Sequence, residues 1–230
     1  MKLFLGGGGS GEQTVLAMNT FGEIIDKNKP LLYIPLAMKP EKYPKCLEWI
    51  KKETVNLNLY DICMVTSFEE LKAKNFQDYC ALFIGGGNTY KLLYELKNNN
   101  CLDKIKNYAL NNGIIFGGSA GAMIFGENID TCKYEDENKV GLVDTTAMNI
   151  LKGYSLLAHY TNGDEEKTRI STEYLTKLSL DRKIIGIPEE DTIFIDDDNI
   201  SVIGTKPYYI FENGIVTKVE ISEKARLKVK

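Results

Sequence analysis

Three glycine-rich turns, each following a short apolar run, constrain this chain more than any other feature. Leu3-Phe4-Leu5 runs into Gly6-Gly7-Gly8-Gly9-Ser10-Gly11. Cys80-Ala81-Leu82-Phe83-Ile84 runs into Gly85-Gly86-Gly87-Asn88, and Gly113-Ile114-Ile115-Phe116 into Gly117-Gly118-Ser119-Ala120-Gly121-Ala122. A short continuous apolar run closed by glycine reads as a strand buried on both faces. Helical patterns follow at about 14–26, 43–52, 89–97 and 102–111, and further strands at 30–35, 61–65 and 183–187. Strands alternating with helices predict an α/β fold, a mostly parallel sheet with helices on both faces. Sites on such sheets lie beyond the carboxyl ends of the strands, so the three turns should gather at one rim. Later, 193–195, 201–203, 208–211 and 215–219 read as C-terminal antiparallel hairpins, with turns at Asp197-Asp198-Asn199 and Asn213-Gly214. No linker composition or internal repeat interrupts the 230 residues, which predicts one domain, 1–230.

The third turn carries the clearest chemistry. Gly117 and Gly121 flank Ser119 in a G-x-S-x-G pattern between a strand and a helix. A serine there is held in a strained conformation with its hydroxyl projecting from the sheet edge. The helix start directs amides at the same point, so the Ala120 N–H is a candidate oxyanion donor. The plainer alternative is a serine that only caps the helix. A serine nucleophile needs a base, and the chain holds a single histidine, His159, in Leu156-Leu157-Ala158-His159-Tyr160-Thr161-Asn162. A lone histidine is usually structural. This one ends an apolar run before a polar loop, which suits the rim of a strand. A carboxylate to orient it is sought in Pro188-Glu189-Glu190-Asp191, after the 183–187 strand. Glu189 is the choice and Glu190 the alternative. The 85–89 turn is placed to supply a second oxyanion donor from a backbone amide.

Other classes are disfavoured. Gly6–Gly11 matches the spacing of a dinucleotide fingerprint, but a glycine run does so almost automatically, and it lacks the Gly-Lys-Ser/Thr ending of a phosphate loop. A formal net charge of -4, with its one dense basic stretch at 224–230, leaves no footprint for nucleic acid; that stretch reads as a solvated tail. The N-terminal apolar run is too short for a signal peptide, and none approaches the ~20 residues of a membrane span. The five cysteines include no CxxC, so reduced thiols in a cytoplasmic protein are expected. One histidine and unpaired cysteines argue against a metal site, and Asp196-Asp197-Asp198-Asn199 suits a hairpin turn better than a cation.

Gly85-Gly86-Gly87-Asn88-Thr89, Gly117-Gly118-Ser119-Ala120-Gly121-Ala122, His159-Tyr160-Thr161-Asn162 and Ile187-Pro188-Glu189 together resemble the peptidase E (aspartyl dipeptidase) family, with cyanophycinase more distant. The resemblance spans roughly 3–189, and its first two elements are specific as a pair. It implies a fold similar to class I glutamine amidotransferases, with serine replacing their cysteine. It implies a Ser119-His159-Glu189 triad, oxyanion donors at the Gly87 and Ala120 amides, and no metal or organic cofactor. The implied partner is a small peptide, with cleavage after an N-terminal aspartate the best-known activity, and the assembly a monomer or homodimer. Asn88, Thr89 and Arg169 are the candidate substrate contacts. The family's aspartate-receiving arginine follows the histidine segment. Here that stretch, 163–169, is read as a short acidic loop with Arg169 its only arginine. Such a loop favours the free amino group of a short peptide. Two other readings stand behind a serine peptidase: a non-catalytic amino-acid or peptide binder on this fold, and a nucleotide-binding α/β protein using Gly6–Gly11.

Overall fold

The computed structural model describes residues 1–221, so the basic stretch 224–230 lies outside the described residues. The strands are β1 (Lys2–Gly6), β2 (Leu31–Ile34), β3 (Ile62–Met64), β4 (Ala81–Ile84), β5 (Ile114–Gly118), β6 (Tyr154–Leu157), β7 (Lys183–Gly186), β8 (Thr192–Asp196), β9 (Asn199–Ile203), β10 (Tyr208–Glu212) and β11 (Ile215–Val219). The α-helices are α1 (Val15–Ile24), α2 (Tyr43–Glu53), α3 (Phe68–Ala73), α4 (Thr89–Asn98), α5 (Leu102–Leu110), α6 (Ala120–Met123) and α7 (Glu165–Leu178).

Two sheets form. The larger runs β3-β2-β4-β5-β1-β8-β9, parallel from β3 through β1 and antiparallel beyond. Its strands alternate between two apolar layers, as a period of two demands. Leu3, Leu5, Leu32, Ile34, Leu82, Ile84 and Ile115 face one layer, with Leu92, Leu93 and Leu96 of α4 and Ile105 of α5. Phe4, Leu31, Tyr33, Ala81, Phe83 and Phe116 face the other, with Phe21 of α1 and Ile50 of α2. Helices therefore cover both faces, and the expected mostly parallel α/β architecture is the one observed.

The smaller sheet runs β11-β10-β7-β6. Here the structure divides what the sequence pattern presented together. The β8–β9 hairpin extends the main sheet because β8 pairs with β1 and stacks Phe194 on Phe4 at 4.5 Å. The β10–β11 hairpin instead joins β7. Leu156, Ile184 and Ile185 of the small sheet share the apolar layer that holds Leu3 and Leu5 of the large one. No helix among the described residues is long and apolar enough to cross a membrane.

Candidate active site

Ser119 lies between β5 and α6 with φ 53° and ψ −115°, a conformation an L-residue adopts only when its surroundings hold it there. Here its N–H donates to the Gly6 carbonyl (3.0 Å), and its own carbonyl accepts from Ala122 and Met123 (2.8 and 2.9 Å). The turn tolerates only glycine at position 121, where a Cβ would lie 2.2 Å from the Ile84 carbonyl oxygen. Small residues thus let β5 bend sharply against β4, and the serine hydroxyl is left over the sheet edge.

His159 and Glu189 come from the other sheet. His159 follows β6 with φ 57°, and Glu189 follows β7. The two strands are parallel neighbours, so their ends deliver both side chains to one place. His159 Nε2 lies 2.9 Å from Ser119 Oγ, and His159 Nδ1 lies 2.8 Å from Glu189 Oε1. With the ring proton on Nδ1 donated to the carboxylate, Nε2 is free to accept from the hydroxyl. The second carboxylate oxygen accepts from Gln13 Nε2 at 3.2 Å, and the Glu189 N–H donates to Asn162 Oδ1 at 2.7 Å. Glu190 instead accepts from Asn162 Nδ2 at 3.2 Å, so of the two carboxylates it is Glu189 that reaches the imidazole.

The first glycine turn ties these pieces together. Gly6 accepts from Ser119, Gly7 accepts from the His159 N–H at 2.9 Å, and the Gly9 N–H donates to the Glu189 carbonyl at 3.2 Å. Gly7 also donates to the Asp191 carbonyl at 2.9 Å. The Gly7 and Gly9 amides are thereby engaged and offer a phosphate nothing. At Gly8 the chain has φ 107°, and a Cβ there would fall 2.2 Å from His159 Cε1. Gly8 is glycine because the imidazole lies against it, and Gly7 and Gly9 because the Pro188 and Glu189 carbonyls do, at 1.8 and 2.5 Å from where a Cβ would stand.

The amides of Gly87 and Ala120 donate to no other group among the described residues. Gly87 lines both chambers that meet at Ser119 and His159. One chamber, about 360 Å³, is polar and includes Glu135, Asp136, Asn162 and Lys167. The other, about 450 Å³, is more apolar and includes Tyr33, Trp49, Phe83 and Phe116.

A family model, peptidase family S51, matches residues 3–203. The chain belongs to this family. Peptidase E of Nostoc sp. strain PCC 7120 is 29% identical over 195 residues, covering 81% of this chain and 77% of that protein. A Pasteurella multocida protein described as an uncharacterized peptidase is 30% identical over 167 residues, covering 67% and 77%. A 1.5 Å crystal structure of a candidate peptidase E from Listeria monocytogenes EGD-e has TM-score 0.71 at 25% identity, covering 88% of this chain and 98% of that one. A peptidase from an acI-B1 actinobacterium shares the fold at TM-score 0.71 and 20% identity, covering 96% and 95%. Membership of family S51 makes the chain a peptidase, and the two solved structures share its fold.

Three of the sequence-derived substrate contacts lie elsewhere in this family S51 chain. Arg169 is not on a loop: Asp164 caps α7 by accepting from the Lys167 N–H at 2.7 Å, and Glu165 and Glu166 occupy its first turn. The guanidinium lies exposed on that helix, paired with Glu166 and Glu173, and lines neither chamber. Asn88 caps α4, accepting from the Lys91 N–H at 2.8 Å and donating to the Glu137 carbonyl at 2.9 Å. Thr89 is wholly buried, and its N–H and hydroxyl both donate to Asp136 Oδ2 at 2.8 and 2.6 Å. Thr89 thus holds Asp136 and Asn88 ties α4 to the neighbouring Glu137 carbonyl, and neither lines the two chambers. Sequence reasoning overlooked Glu135, Asp136 and Lys167. The run Tyr134-Glu135-Asp136-Glu137 is the signal for the two carboxylates, and an acidic run ordinarily marks a solvated surface; nothing local marks Lys167. Lys167 Nζ pairs with Glu135 Oε2 at 2.6 Å, so the lysine that lines the polar chamber already has an anion.

Proposed function

We propose that this chain is a serine peptidase that hydrolyses short peptides, with Ser119 as nucleophile, His159 as general base and acid, and Glu189 as the group that orients the imidazole. The single observation that carries this is the unbroken hydrogen-bonded line from Ser119 Oγ through both ring nitrogens of His159 to Glu189. Ser119 Oγ attacks the scissile carbonyl while Nε2 takes the hydroxyl proton. The proton then passes to the departing amine as the C–N bond breaks, leaving an acyl-serine and the C-terminal product. Water, deprotonated by the same nitrogen, attacks the ester and releases the acid. The carbonyl oxygen carries negative charge at each tetrahedral stage, and the unengaged amides of Gly87 and Ala120 are its donors.

The polar chamber supports a short substrate with a free amino terminus. Glu135, Asp136 and Glu189 outnumber Lys167 there, which attracts an ammonium group. A preference for an acidic N-terminal residue loses its expected receptor, because Arg169 faces solvent on α7. Turnover of a dipeptide panel tests the assignment. Ser119→Ala and His159→Ala should each lower kcat by about 10³-fold or more. Wild-type turnover in Ser119→Ala would remove the nucleophile from this scheme.

A further inference from the structure

The two chambers beside Ser119 differ in chemistry, and the difference gives a substrate both a direction and a side chain. The larger chamber is walled by Met18, Tyr33, Met38, Trp49, Phe83 and Phe116. Phe83 and Phe116 stack at 4.8 Å, while Tyr33 and Trp49 meet Phe83 edge-on, each at 5.9 Å. The rings thus brace one another into a preformed wall. A volume of about 450 Å³ is within the range of small-molecule sites. The same chamber is bordered by exposed Lys42 and Lys45, neither of which forms an ion pair among the described residues. Its one carboxylate, Glu53, accepts from the Gly11 N–H and the Thr14 hydroxyl, so this chamber carries two lysines against one carboxylate. The smaller chamber carries the opposite balance, with Glu135 and Asp136 beside Lys167.

On the serine-peptidase reading above, we propose that the substrate is a dipeptide whose C-terminal, leaving residue has a large apolar side chain, aromatic by preference. That side chain occupies the aromatic chamber and its free α-carboxylate faces Lys42 and Lys45. The amino-terminal residue then lies in the acidic chamber, with its carbonyl over Ser119. The charges fix this direction, because the reverse orientation sets carboxylate against Glu135 and Asp136, and ammonium against the two lysines. The wall fixes the side chain. An acidic side chain would give up its hydration among these rings without a partner, whereas burial of an aromatic one is favourable.

Trp49 is the only tryptophan of the chain, so its fluorescence reports on this chamber independently of turnover. In Ser119→Ala, alanyl-4-nitrophenylalanine should quench Trp49 saturably, while 4-nitrophenylalanyl-alanine and Ala-Asp should need at least about 10-fold higher concentration. In the unmodified enzyme, kcat/KM for Ala-Phe should exceed that for Ala-Ala, Ala-Asp and Phe-Ala by about 10–100-fold. Amidating the carboxyl end of Ala-Phe should raise KM, and the Lys42→Ala/Lys45→Ala double variant should erase that difference. Preference for Phe-Ala, or Ala-Asp cleaved as well as Ala-Phe, would overturn the assignment while leaving the hydrolase intact. Saturable quenching with no dipeptide cleaved would instead uphold the aromatic chamber and dispose of the serine-peptidase reading.

Discussion

Replacing Gly8 with alanine displaces the imidazole without altering any titratable side chain. A Cβ at that position would lie 2.2 Å from Cε1, 2.4 Å from Nε2 and 2.9 Å from Nδ1 of His159. Carbon atoms in contact prefer roughly 3.5–4.0 Å, so the ring must retreat by more than about 1 Å. Its two hydrogen bonds, 2.9 Å to Ser119 and 2.8 Å to Glu189, stretch past useful length on such a move. A misplacement of about 1 Å costs about 10²-fold, and loss of the general base about 10²–10⁴-fold, so kcat should fall within that span. Stability should also drop, because φ 107° is a region that an L side chain enters at about 1–3 kcal/mol. That corresponds to a Tm lowered by several degrees, at about 2–4 °C per kcal/mol for a chain of this size. Gly11→Ala separates the two effects. Gly11 has φ 59°, and a Cβ added there would meet nothing within 4 Å, so this variant should lose about 1–2 kcal/mol and keep its rate. The assay is kcat on a cleaved dipeptide, well below either variant's Tm, beside thermal unfolding of each. A Gly8→Ala enzyme with the parent kcat would refute the reasoning, since the imidazole would then act from somewhere other than its place against this loop.

Asp191 is fully buried, with Oδ1 accepting from the Thr205 and Lys206 N–H groups at 3.1 and 3.2 Å and Oδ2 without a partner. Burial pushes its carboxyl up to about 7, against the lowering effect of those two backbone donors. A raised carboxyl binds its proton more tightly folded than unfolded, so the protein should lose stability as pH rises from about 4 to 7 and level off above. Asp191→Asn should flatten that difference, on the order of 3–4 kcal/mol, in urea midpoints taken across the window; parallel profiles for the two proteins would count against it. Arg169→Ala should leave dipeptide kcat/KM unchanged, because among the described residues the exposed guanidinium pairs only with Glu166 and Glu173 of its own helix. A fall of ten-fold or more on any dipeptide would bring Arg169 back to the substrate.

What the sequence determined by itself was local. Continuous apolar runs marked strands buried on both faces, the glycine runs after them marked the strand ends, and the G-x-S-x-G turn marked Ser119. Each of these signals lies within a dozen neighbouring residues, where steric and burial preferences act directly. Asn213-Gly214 likewise stated its hairpin through two adjacent positive φ values, 53° and 74°. What only the tertiary structure decided was which distant segments meet. His159 and Glu189 arrive on β6 and β7, strands of a separate sheet, and no local pattern records that this sheet shares an apolar layer with the first. Arg169 shows the same limit from the other side. Its sequence neighbourhood suggested a substrate contact, but once Asp164 caps α7 the helical period sets it between Glu166 and Glu173, away from Ser119. The aromatic chamber is the extreme case, since Met18, Tyr33, Trp49, Phe83 and Phe116 come from five separate elements. Apolar side chains at such positions are equally suited to a filled core. Only the packing of α1 and α2 against the sheet leaves space among them, and that space depends on every element at once.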